Sequence, residues 1–250
     1  MTDLAGRTFL IAGASAGLGA GFARAVAAAG GKIVLGARRL ERVEELALEI
    51  GELAMAVPLD VTDENSVIAA FDAADAQLGA VDGVVCNAGV GTGGRSTDVD
   101  AAGLRQVLDT NLLGSYLVAR EGARRMIAAG SPESGRGRIV MIGSITAEQN
   151  GTGDAMYAAT KAGVAHLTRQ FAREWVRQGI NVNCLQPGWI PSEINAEWFA
   201  SERGQQDIAA LHRGRLLDSD ALDDMLVYLL SDRSRQVTGA TFTIDDGQSL

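Results

Sequence analysis

The stretch Thr8-Phe-Leu-Ile-Ala-Gly-Ala-Ser-Ala-Gly-Leu-Gly19 joins an apolar run to a glycine-rich turn, and apolar residues at helical spacing follow it. A short apolar run bounded by glycine is typical of a buried strand. Glycines at 13, 17 and 19 permit a tight turn in which backbone N–H groups closely approach a ligand. The stretch therefore predicts a strand, a glycine loop and a helix whose N-terminus attracts an anion.

Strand-like and helix-like segments alternate along the rest of the chain. Strands are predicted at residues 8–12, 32–35, 54–59, 83–86, 138–142, 180–185 and 241–244. Helices are predicted at residues 18–29, 40–50, 65–78, 101–128, 154–178 and 221–230. This alternation indicates a parallel sheet that helices cover on both faces. We predict a Rossmann-like, doubly wound α/β fold of about seven strands, with residues 1–250 in a single domain.

Two connecting segments differ from the others. Residues 131–137 are polar and rich in glycine, which predicts a surface turn. Residues 186–215 show no clear periodicity, and such long irregular segments in α/β domains are usually functional, often as lids. We name residues 186–215 the substrate segment.

Composition and charge exclude several classes of protein. Lys and Arg number 22 against 31 Asp and Glu, and the resulting net charge of −9 repels nucleic acid and anionic membranes. Two cysteines (Cys86, Cys184) and two histidines (His166, His212) form no ligand-like cluster, so we expect neither a metal site nor a disulfide framework. Glycines interrupt the apolar stretch 9–23, which predicts no signal peptide, no membrane span and a cytoplasmic location.

The glycine loop has two rival interpretations. Residues 13–17 also read Gly-x-Ser-x-Gly, the nucleophile elbow of hydrolases, but only one strand precedes Ser15, whereas an elbow needs earlier strands and an oxyanion loop. A methyltransferase would place an acidic residue after the second strand to hold ribose hydroxyls. Ala37, Arg38 and Arg39 stand there instead, and a cation at this point favours a phosphorylated ribose.

Four polar side chains form a candidate set for proton chemistry. Tyr157 and Lys161 lie four residues apart in a predicted helix, so both leave the same face. We expect the ammonium to lower the pKa of the phenol, which would then act as acid and base. Ser144 follows a strand at the edge where ligands bind, and its hydroxyl can donate to a carbonyl that Tyr157 protonates. Asn111 is a poor helix former within a predicted helix, which indicates a local bend or a polar task.

Taken together, these motifs resemble those of the short-chain dehydrogenase/reductase family of the single-domain type. The matching motifs are the glycine loop 13–19, Asp60-Val61, Asn87-Ala88-Gly89, Asn111, Ser144, Tyr157-x-x-x-Lys161 and Pro187-Gly188. They occur in order across nearly the whole chain. The resemblance implies an oxidoreductase that moves a hydride between a nicotinamide cofactor and a carbonyl or secondary alcohol.

The resemblance also implies a role for each motif. Tyr157 would exchange the proton, Ser144 would position the substrate oxygen, Lys161 would hold the nicotinamide ribose and tune the phenol, and Asn111 would support a water relay to Lys161. The implied cofactor-binding residues are Gly13, Ser15, Gly17, Leu18, Gly19, Arg38, Arg39, Asp60, Val61, Asn87, Ala88, Gly89, Tyr157, Lys161, Pro187, Gly188 and Ile190.

Four positions depart from the family pattern. Ala12 replaces a common threonine, Ala16 leaves the glycine loop without a basic residue, and Cys86 stands where asparagine is frequent. These three concern the rigidity of the cofactor loop. Gly143 stands where a second serine is common, so one hydroxyl rather than two would face the substrate.

The turn after the second strand predicts which cofactor is bound. A selective NAD enzyme places a carboxylate there to accept from the ribose 2′-hydroxyl, and here that position is Ala37. Arg38 follows, and a guanidinium group suits a 2′-phosphate. Arg39 either adds charge or only begins the next helix facing solvent. We predict NADP(H), with NAD(H) as the alternative.

The candidate substrate pocket is apolar and aromatic. Residues 90–95, 145–153 and 189–199 would line it, with walls formed by Ile145, Trp189, Trp198 and Phe199. Such a pocket favours a neutral ketone or aldehyde of medium size. The alternative is a 3-oxoacyl group on an acidic acyl-carrier protein, for which Arg124, Arg125, Arg169 and Arg173 could supply a basic patch. A dinucleotide sensor without chemistry is a third possibility, but it has no need of the proton set.

The predicted helix that carries Tyr157 is apolar on nearly every side. Its apolar residues are Ala155, Met156, Ala158, Ala159, Ala162, Val164, Ala165 and Leu167. A helix of this kind must be covered on more than one side. Together with the resemblance, this pattern predicts a homo-oligomer, and specifically a homotetramer.

Overall fold

The central element is a parallel β-sheet. The computed structural model describes residues 3–151, 153–192 and 195–250. Within them, seven strands pair into one sheet. The strands are β1 (Thr8–Ala12), β2 (Lys32–Ala37), β3 (Ala54–Pro58), β4 (Gly83–Cys86), β5 (Gly137–Ile142), β6 (Ile180–Pro187) and β7 (Thr241–Ile244). Their order is β3-β2-β1-β4-β5-β6-β7, which confirms the predicted doubly wound fold. The strand order reverses between β1 and β4, where such sheets open a crevice at their carboxyl edge.

Helices cover both faces of the sheet. They are α1 (Gly17–Ala28), α2 (Leu40–Ile50), α3 (Glu64–Leu78), α4 (Ala101–Leu108), α5 (Ser115–Ala128), α6 (Ser131–Ser134), α7 (Ala155–Trp175), α8 (Ala196–Ala200), α9 (Glu202–Ala210) and α10 (Asp223–Leu230). The apolar side chains of α1, α2 and α10 pack into one core. Those of α3, α5 and α7 pack into a second core on the other face.

Strand β1 shows why apolar runs predicted the sheet. Each of its five residues is buried. Leu10 and Ala12 belong to the core under α3, α5 and α7, whereas Phe9 and Ile11 belong to the opposite core. Because both faces of the strand are covered, its side chains are apolar without alternation.

Short polar residues and glycines mark several helix ends. The side chain of Asp63 accepts from the Asn65 N–H at the start of α3, and the side chain of Asp100 accepts from the Gly103 N–H at the start of α4. Such caps bond N–H groups that have no partner within the helix. Gly51 follows the last residue of helix α2, and its φ of 87° favours glycine.

The structure corrects the sequence predictions at three places. The predicted helix 101–128 is interrupted, because a π-helical turn at Asp109–Gly114 joins α4 to α5. Residues 131–137 are more than a surface turn, because they form helix α6 and the first residue of β5. Ser131 is buried, and its hydroxyl donates to the Gln178 carbonyl oxygen at 2.6 Å. The substrate segment is not irregular, because it begins within β6 and contains α8 and α9.

Three residues of the predicted pocket lie outside the described residues. They are Thr152 of the predicted pocket loop, and Glu193 and Ile194 of the substrate segment. Among the described residues, no helix combines the length and apolar character needed to cross a membrane. The same residues include no group of three or more His, Cys, Asp or Glu side chains that could bind a metal ion. Cys86 and Cys184 are buried, free thiols.

Candidate functional site

The glycine loop turns between β1 and α1 with little space for side chains. A Cβ atom on Gly13 would lie 2.8 Å from the Cα atom of Ala88, and one on Gly19 would collide with the Gly13 carbonyl oxygen. Gly13 and Gly17 also have positive φ angles of 83° and 53°. The Nδ2 atom of Asn87 donates to the Gly13 carbonyl oxygen at 2.9 Å. The structure therefore brings the predicted glycine loop against the Asn87-Ala88-Gly89 motif after β4.

The first turn of α1 has no capping side chain. Its N-cap residue is Ala16, which makes no side-chain capping hydrogen bond. The first N–H groups of a helix have no partner within the helix, and they carry its positive dipole end. Gly17, Leu18 and Gly19 form this first turn, so the loop presents donors that suit a diphosphate.

Arg39 reaches from the start of α2 back to the glycine loop. Its Nε and Nη2 atoms donate to the Ser15 hydroxyl oxygen at 3.2 Å and 2.9 Å. Of the two alternatives for Arg39, the structure thus favours added charge at the loop. Arg38 is exposed directly after β2. Burial acts to raise the pKa of Asp60, but hydrogen bonds from Thr62 and the charge of Arg38 hold that pKa below its usual value.

Tyr157, Lys161 and Ser144 meet beyond the carboxyl ends of β5 and β6. Lys161 lies one turn after Tyr157 on α7, with its Nζ atom 5.5 Å from the centroid of the tyrosine ring. That Nζ atom donates to the Ile142 carbonyl oxygen at 2.8 Å. The Ser144 hydroxyl oxygen accepts from the Thr146 N–H at 3.2 Å and from the Thr146 hydroxyl at 2.9 Å.

Burial dominates the acid–base properties of this set. It raises the pKa of Tyr157, a hydrogen bond with Ser144 acts in the lowering direction, and the charge of Asp154 adds to the rise. Burial also lowers the pKa of Lys161 to about 8. The expected lowering of the tyrosine pKa is therefore wrong for this structure. The reason is that loss of hydration disfavours both charged forms, and the Lys161 ammonium donates to a backbone carbonyl oxygen.

Asn111 lies within the π-helical turn and is fully buried. Its Oδ1 atom accepts from the Val90 N–H at 2.8 Å, and its Nδ2 atom donates to the Val90 carbonyl oxygen at 2.9 Å and to the Thr160 hydroxyl at 3.3 Å. The Ser115 hydroxyl donates to the Asn111 carbonyl oxygen at 2.7 Å. Both interpretations of Asn111 apply, because it stands at a local irregularity and binds the loop after β4 to α7.

Asn111 and Lys161 both lie beside Gly89. A Cβ atom at Gly89 would lie 3.5 Å from the Asn111 Oδ1 atom and 3.6 Å from the Lys161 Nζ atom. The two polar groups therefore border the same small space after β4. Val61 is also buried near this crevice, where its side chain packs against Gly114 of the π-helical turn.

The aromatic residues of the substrate segment form one cluster. The ring centroids of Trp189 and Trp198 lie 5.2 Å apart, and those of Trp198 and Phe199 lie 5.0 Å apart. Trp198 is exposed, whereas Phe199 is buried. Ile145 is buried directly after Ser144. The predicted pocket walls thus include a connected aromatic surface on one side.

Residues around Pro187-Gly188 are tightly packed at the end of β6. Ile190 is buried in the core formed by α1, α2 and α10. A Cβ atom on Gly188 would collide with the Gln248 side chain and would lie 2.9 Å from the Asp245 Cβ atom. The backbone of this motif therefore lies directly against the turn that follows β7.

The structure explains one departure from the family pattern. A Cβ atom on Gly143 would lie 2.8 Å from the Gln186 Cγ atom and 2.9 Å from the Cys184 Sγ atom. Gln186 is buried, and its Oε1 atom accepts from the Thr243 hydroxyl at 3.3 Å. The large Gln186 side chain therefore takes the space that a serine at 143 would need.

Sequence reasoning missed two polar residues at the site, Asp154 and Gln248. Asp154 stands immediately before α7, where burial raises its pKa and N–H groups of Tyr157 and Thr92 act to lower it. A Cβ atom on Gly91 would lie 2.8 Å from the Asp154 Oδ2 atom, so the carboxylate packs against the loop after β4. An acidic residue just before an apolar helix is a capping signal that could have drawn attention to Asp154. Gln248 carried no comparable signal.

Comparison with known proteins identifies the family. A family model described as enoyl-(acyl carrier protein) reductase matches residues 13–249. The cis-4-hydroxycyclohexanecarboxylate dehydrogenase of Sinomonas cyclohexanicum is 35% identical over 244 residues, which cover 96% of this chain and 96% of that protein. The chain belongs to the short-chain dehydrogenase/reductase family.

Solved structures of other short-chain dehydrogenases/reductases share the whole fold. A gluconate 5-dehydrogenase from Burkholderia cenocepacia, in complex with NADP and tartrate, has a TM-score of 0.92 and 32% identity, covering 99% of this chain and 97% of that chain. A 3-ketoacyl-(acyl-carrier-protein) reductase from Brucella melitensis, complexed with NADH, has a TM-score of 0.90 and 30% identity, covering 98% and 99%. This short-chain dehydrogenase/reductase is thus an oxidoreductase of alcohol or ketone groups, in a family that uses a nicotinamide dinucleotide.

Proposed function

We propose that this short-chain dehydrogenase/reductase reduces a neutral, medium-sized ketone or aldehyde with NADPH. The observation that carries the proposal is the meeting of Tyr157, Lys161 and Ser144 at the carboxyl edge of the sheet. The glycine loop and the Asn87-Ala88-Gly89 motif border the same crevice. A bound nicotinamide would supply the hydride. The reverse reaction, oxidation of a secondary alcohol, uses the same groups.

The proposed proton transfer runs through Tyr157. Its raised pKa keeps the phenol protonated, so it can donate to the substrate oxygen as that oxygen gains negative charge. Ser144 accepts two hydrogen bonds from Thr146, which leaves its own hydrogen to donate to the same oxygen. The Lys161 ammonium is suited to hold a ribose hydroxyl. Asn111 borders Lys161 and supports the water relay that returns a proton.

We assign the other predicted residues to cofactor binding. Gly13, Gly17, Leu18 and Gly19 would hold the diphosphate, and Asp60 and Val61 would border the adenine. Asn87, Ala88 and Gly89 would line the channel to the nicotinamide, which would meet Pro187, Gly188 and Ile190. Because these motifs, the proton set and the substrate segment share one sheet edge, we propose that residues 1–250 act as one domain.

The preference for NADPH rests on the adenosine end of the crevice. The buried Ala37 offers no carboxylate to repel a 2′-phosphate. Arg38 follows it, and Arg39 donates to Ser15 in the glycine loop. Two guanidinium groups beside this loop suit a phosphate, and in a protein with a net charge of −9 such local cations are needed to attract an anionic cofactor.

The alternative substrate, a 3-oxoacyl group on an acyl-carrier protein, has weaker support. The Brucella melitensis relative is a reductase of that kind. A basic docking patch was the expected signature, but Arg125 binds Asp72, Asp75 and Glu121 at 2.7 Å each. Arg124 also lies 3.6 Å from Glu121. These carboxylates neutralise the part of the patch on α5, which favours a free small molecule.

We also propose association into a homotetramer. Leu108, Leu113 and Tyr116 are exposed on one apolar groove between the π-helical turn and α7. Exposed alanines continue this face along α7, at Ala159 and Ala162. A contiguous apolar surface of this kind is typical of a subunit interface. A second copy of the chain would cover it.

The experiment that tests the proposed function follows the hydride itself. The protein would be incubated with NADPH deuterated at the transferred position, together with a panel of neutral ketones, aldehydes and 3-oxoacyl carriers. We expect deuterium at the carbinol carbon of a neutral product, detected by mass spectrometry. Transfer to the acyl carriers alone would favour the alternative substrate. Tight NADPH binding without transfer to any member would favour a dinucleotide sensor.

A further inference from the structure

The turn after β7 holds the substrate segment through one buried side chain. We name residues 245–250 the C-terminal turn. Its Gln248 is only 9% exposed. The Oε1 atom of Gln248 accepts from the Trp189 N–H at 2.6 Å, and the Nε2 atom donates to the Trp189 carbonyl oxygen at 3.5 Å and to the Arg215 carbonyl oxygen at 3.3 Å. A single amide therefore bonds the backbone at both ends of the substrate segment.

Two further hydrogen bonds join the same parts of the chain. The Leu217 N–H donates to the Trp189 carbonyl oxygen at 3.0 Å, directly beside the Gln248 amide. The Nε2 atom of Gln149 donates to the backbone carbonyl oxygen of Gln248 at 3.3 Å. Gln149 belongs to the loop that follows Ser144, so the C-terminal turn contacts two predicted borders of the pocket.

Asp246 forms ion pairs with two arginines at the C-terminal end of the substrate segment. Its Oδ1 atom lies 3.1 Å from an Arg213 Nη1 atom, and its Oδ2 atom lies 2.8 Å from an Arg215 Nη2 atom. Asp246 is also the one non-glycine residue of the described chain with a positive φ, at 51°. This conformation is unfavourable for most side chains, and it persists where surrounding contacts compensate for it. The two arginine pairs and the neighbouring Gln248 bonds provide those contacts.

Gly188 permits the close approach that this arrangement needs. A side chain at 188 would collide with the Gln248 Oε1 atom, and the Gly188 N–H donates to the Ile244 carbonyl oxygen at 3.0 Å. The backbone that follows β6 at Gly188 thus packs directly against the Gln248 side chain of the C-terminal turn. Trp189 follows immediately and carries the aromatic cluster with Trp198 and Phe199.

We propose that Gln248 is a positioning residue that fixes both ends of the substrate segment and thereby sets which substrates fit beneath the aromatic cluster. The inference rests on the proposed function in so far as it concerns substrate size. Gln248 itself holds the backbone at Trp189 and Arg215, so the aromatic cluster that Trp189 carries has a fixed base when a substrate binds. Without the anchors, the whole segment shifts and the aromatic wall loses its fixed base.

Three variants separate positioning from general stability. Gln248→Ala removes all side-chain bonds, and Gln248→Glu keeps the acceptor for the Trp189 N–H but loses both donors. Ser249→Ala is the matched control, because Ser249 is the exposed neighbour and its side chain bonds Asp245 within the C-terminal turn rather than the substrate segment. Hydrogen exchange would be measured at the Trp189 and Leu217 amides in the full chain with NADPH. We expect exchange about tenfold faster in Gln248→Ala, the effect of one ordinary hydrogen bond, an intermediate increase in Gln248→Glu and none in Ser249→Ala.

Steady-state kinetics complete the test. For a medium-sized ketone we expect Gln248→Ala to raise KM about tenfold with kcat little changed, while the smallest ketone turned over shows little change in either constant. Unchanged exchange in both Gln248 variants would overturn the anchoring, whether or not the protein reduces any carbonyl. Faster exchange with equal losses of kcat for both ketones would overturn the positioning role. Faster exchange in a protein that transfers no hydride would contradict the proposed function and leave the anchor intact.

Discussion

The Nζ atom of Lys161 lies 5.5 Å from the centroid of the Tyr157 ring and donates to the Ile142 carbonyl oxygen. Both residues lie on α7, where Lys161 is buried and Tyr157 is half-buried. Burial shifts each group toward its neutral form, so the phenol keeps its proton and the ammonium can lose one. A phenol that stays protonated is a proton donor, which suits reduction of a carbonyl.

The pKa of Lys161 leads to a prediction for the pH dependence of reduction. Burial lowers this pKa to about 8, so the ammonium is present below that pH and is lost above it. We expect kcat/KM for carbonyl reduction to fall as pH rises through about 8, because kcat/KM reports groups of the free enzyme. Initial rates across this range would check the expectation. A level profile through this range would contradict the assigned role of the Lys161 charge.

Changes at the turn after β2 should reverse the cofactor preference. The double variant Ala37→Asp with Arg38→Ala introduces a carboxylate and removes a cation, so we expect NADH to be preferred. Arg39→Ala should weaken NADPH binding by roughly 10–150-fold and leave NADH binding nearly unchanged, because a charge-assisted hydrogen bond contributes about 1.5–3 kcal/mol.

Titration of each protein with both cofactors would measure these effects. Lys32→Ala is the matched control, since this exposed cation lies at the opposite end of β2. A wild-type kcat/KM for NADH that equals or exceeds the value for NADPH would show the interpretation of Arg38 and Arg39 to be wrong.

Two glycines in α1 should respond in opposite ways to the same substitution. A Cβ atom on Gly19 collides with the Gly13 carbonyl oxygen and lies 2.7 Å from the Asn87 Nδ2 atom, so Gly19→Ala should abolish tight cofactor binding. On Gly21 the nearest atoms are 4.0 Å away. Gly21→Ala should therefore bind cofactor normally and gain up to about 1 kcal/mol in the free energy of unfolding, because alanine favours a helix. Calorimetric binding and denaturant titration measure both effects, and equal cofactor affinity of the two variants would refute the close-approach argument.

The apolar groove predicts which substitution would dissociate the proposed tetramer. Leu113 is 46% exposed in that groove, and Leu113→Arg places a charge where a second copy would pack. We expect light scattering to give a smaller assembly for this variant. Leu48→Arg changes an even more exposed leucine, 83% exposed on α2, and should leave the assembly intact. A wild-type mass in solution equal to that of one chain, 26.1 kDa, would contradict association altogether.

Burial explains which parts of the fold were predictable from the sequence. Strands such as β1 and β4 are buried on both faces, and this leaves continuous apolar runs that can be recognised directly. Helices α8 and α9 were missed because they have five and nine residues, and Ser201 both ends one and caps the other. Segments this short carry too few turns for a periodic pattern.

Within the candidate site, local motifs were visible and long-range contacts were not. The spacing of Tyr157 and Lys161 correctly placed both groups on one helix face. The direction of the tyrosine pKa was not predictable, because it depends on burial by residues distant in the chain. The bond between Gln248 and Trp189 spans 59 residues, and neither residue belongs to a recognisable motif. The contact of Arg39 with Ser15 depends on how an exposed side chain folds back, which periodicity does not encode.

The most direct test of the central claim is the rate of carbonyl reduction by Tyr157→Phe with NADPH. The variant keeps the ring and removes the proton donor, and general acid catalysis typically contributes about 10²–10⁴-fold, so kcat should fall by that factor while NADPH binding is retained. Tyr228→Phe, a matched change on α10 and outside the site, should reduce the substrate at the wild-type rate. Reduction by Tyr157→Phe at the wild-type rate would contradict the account.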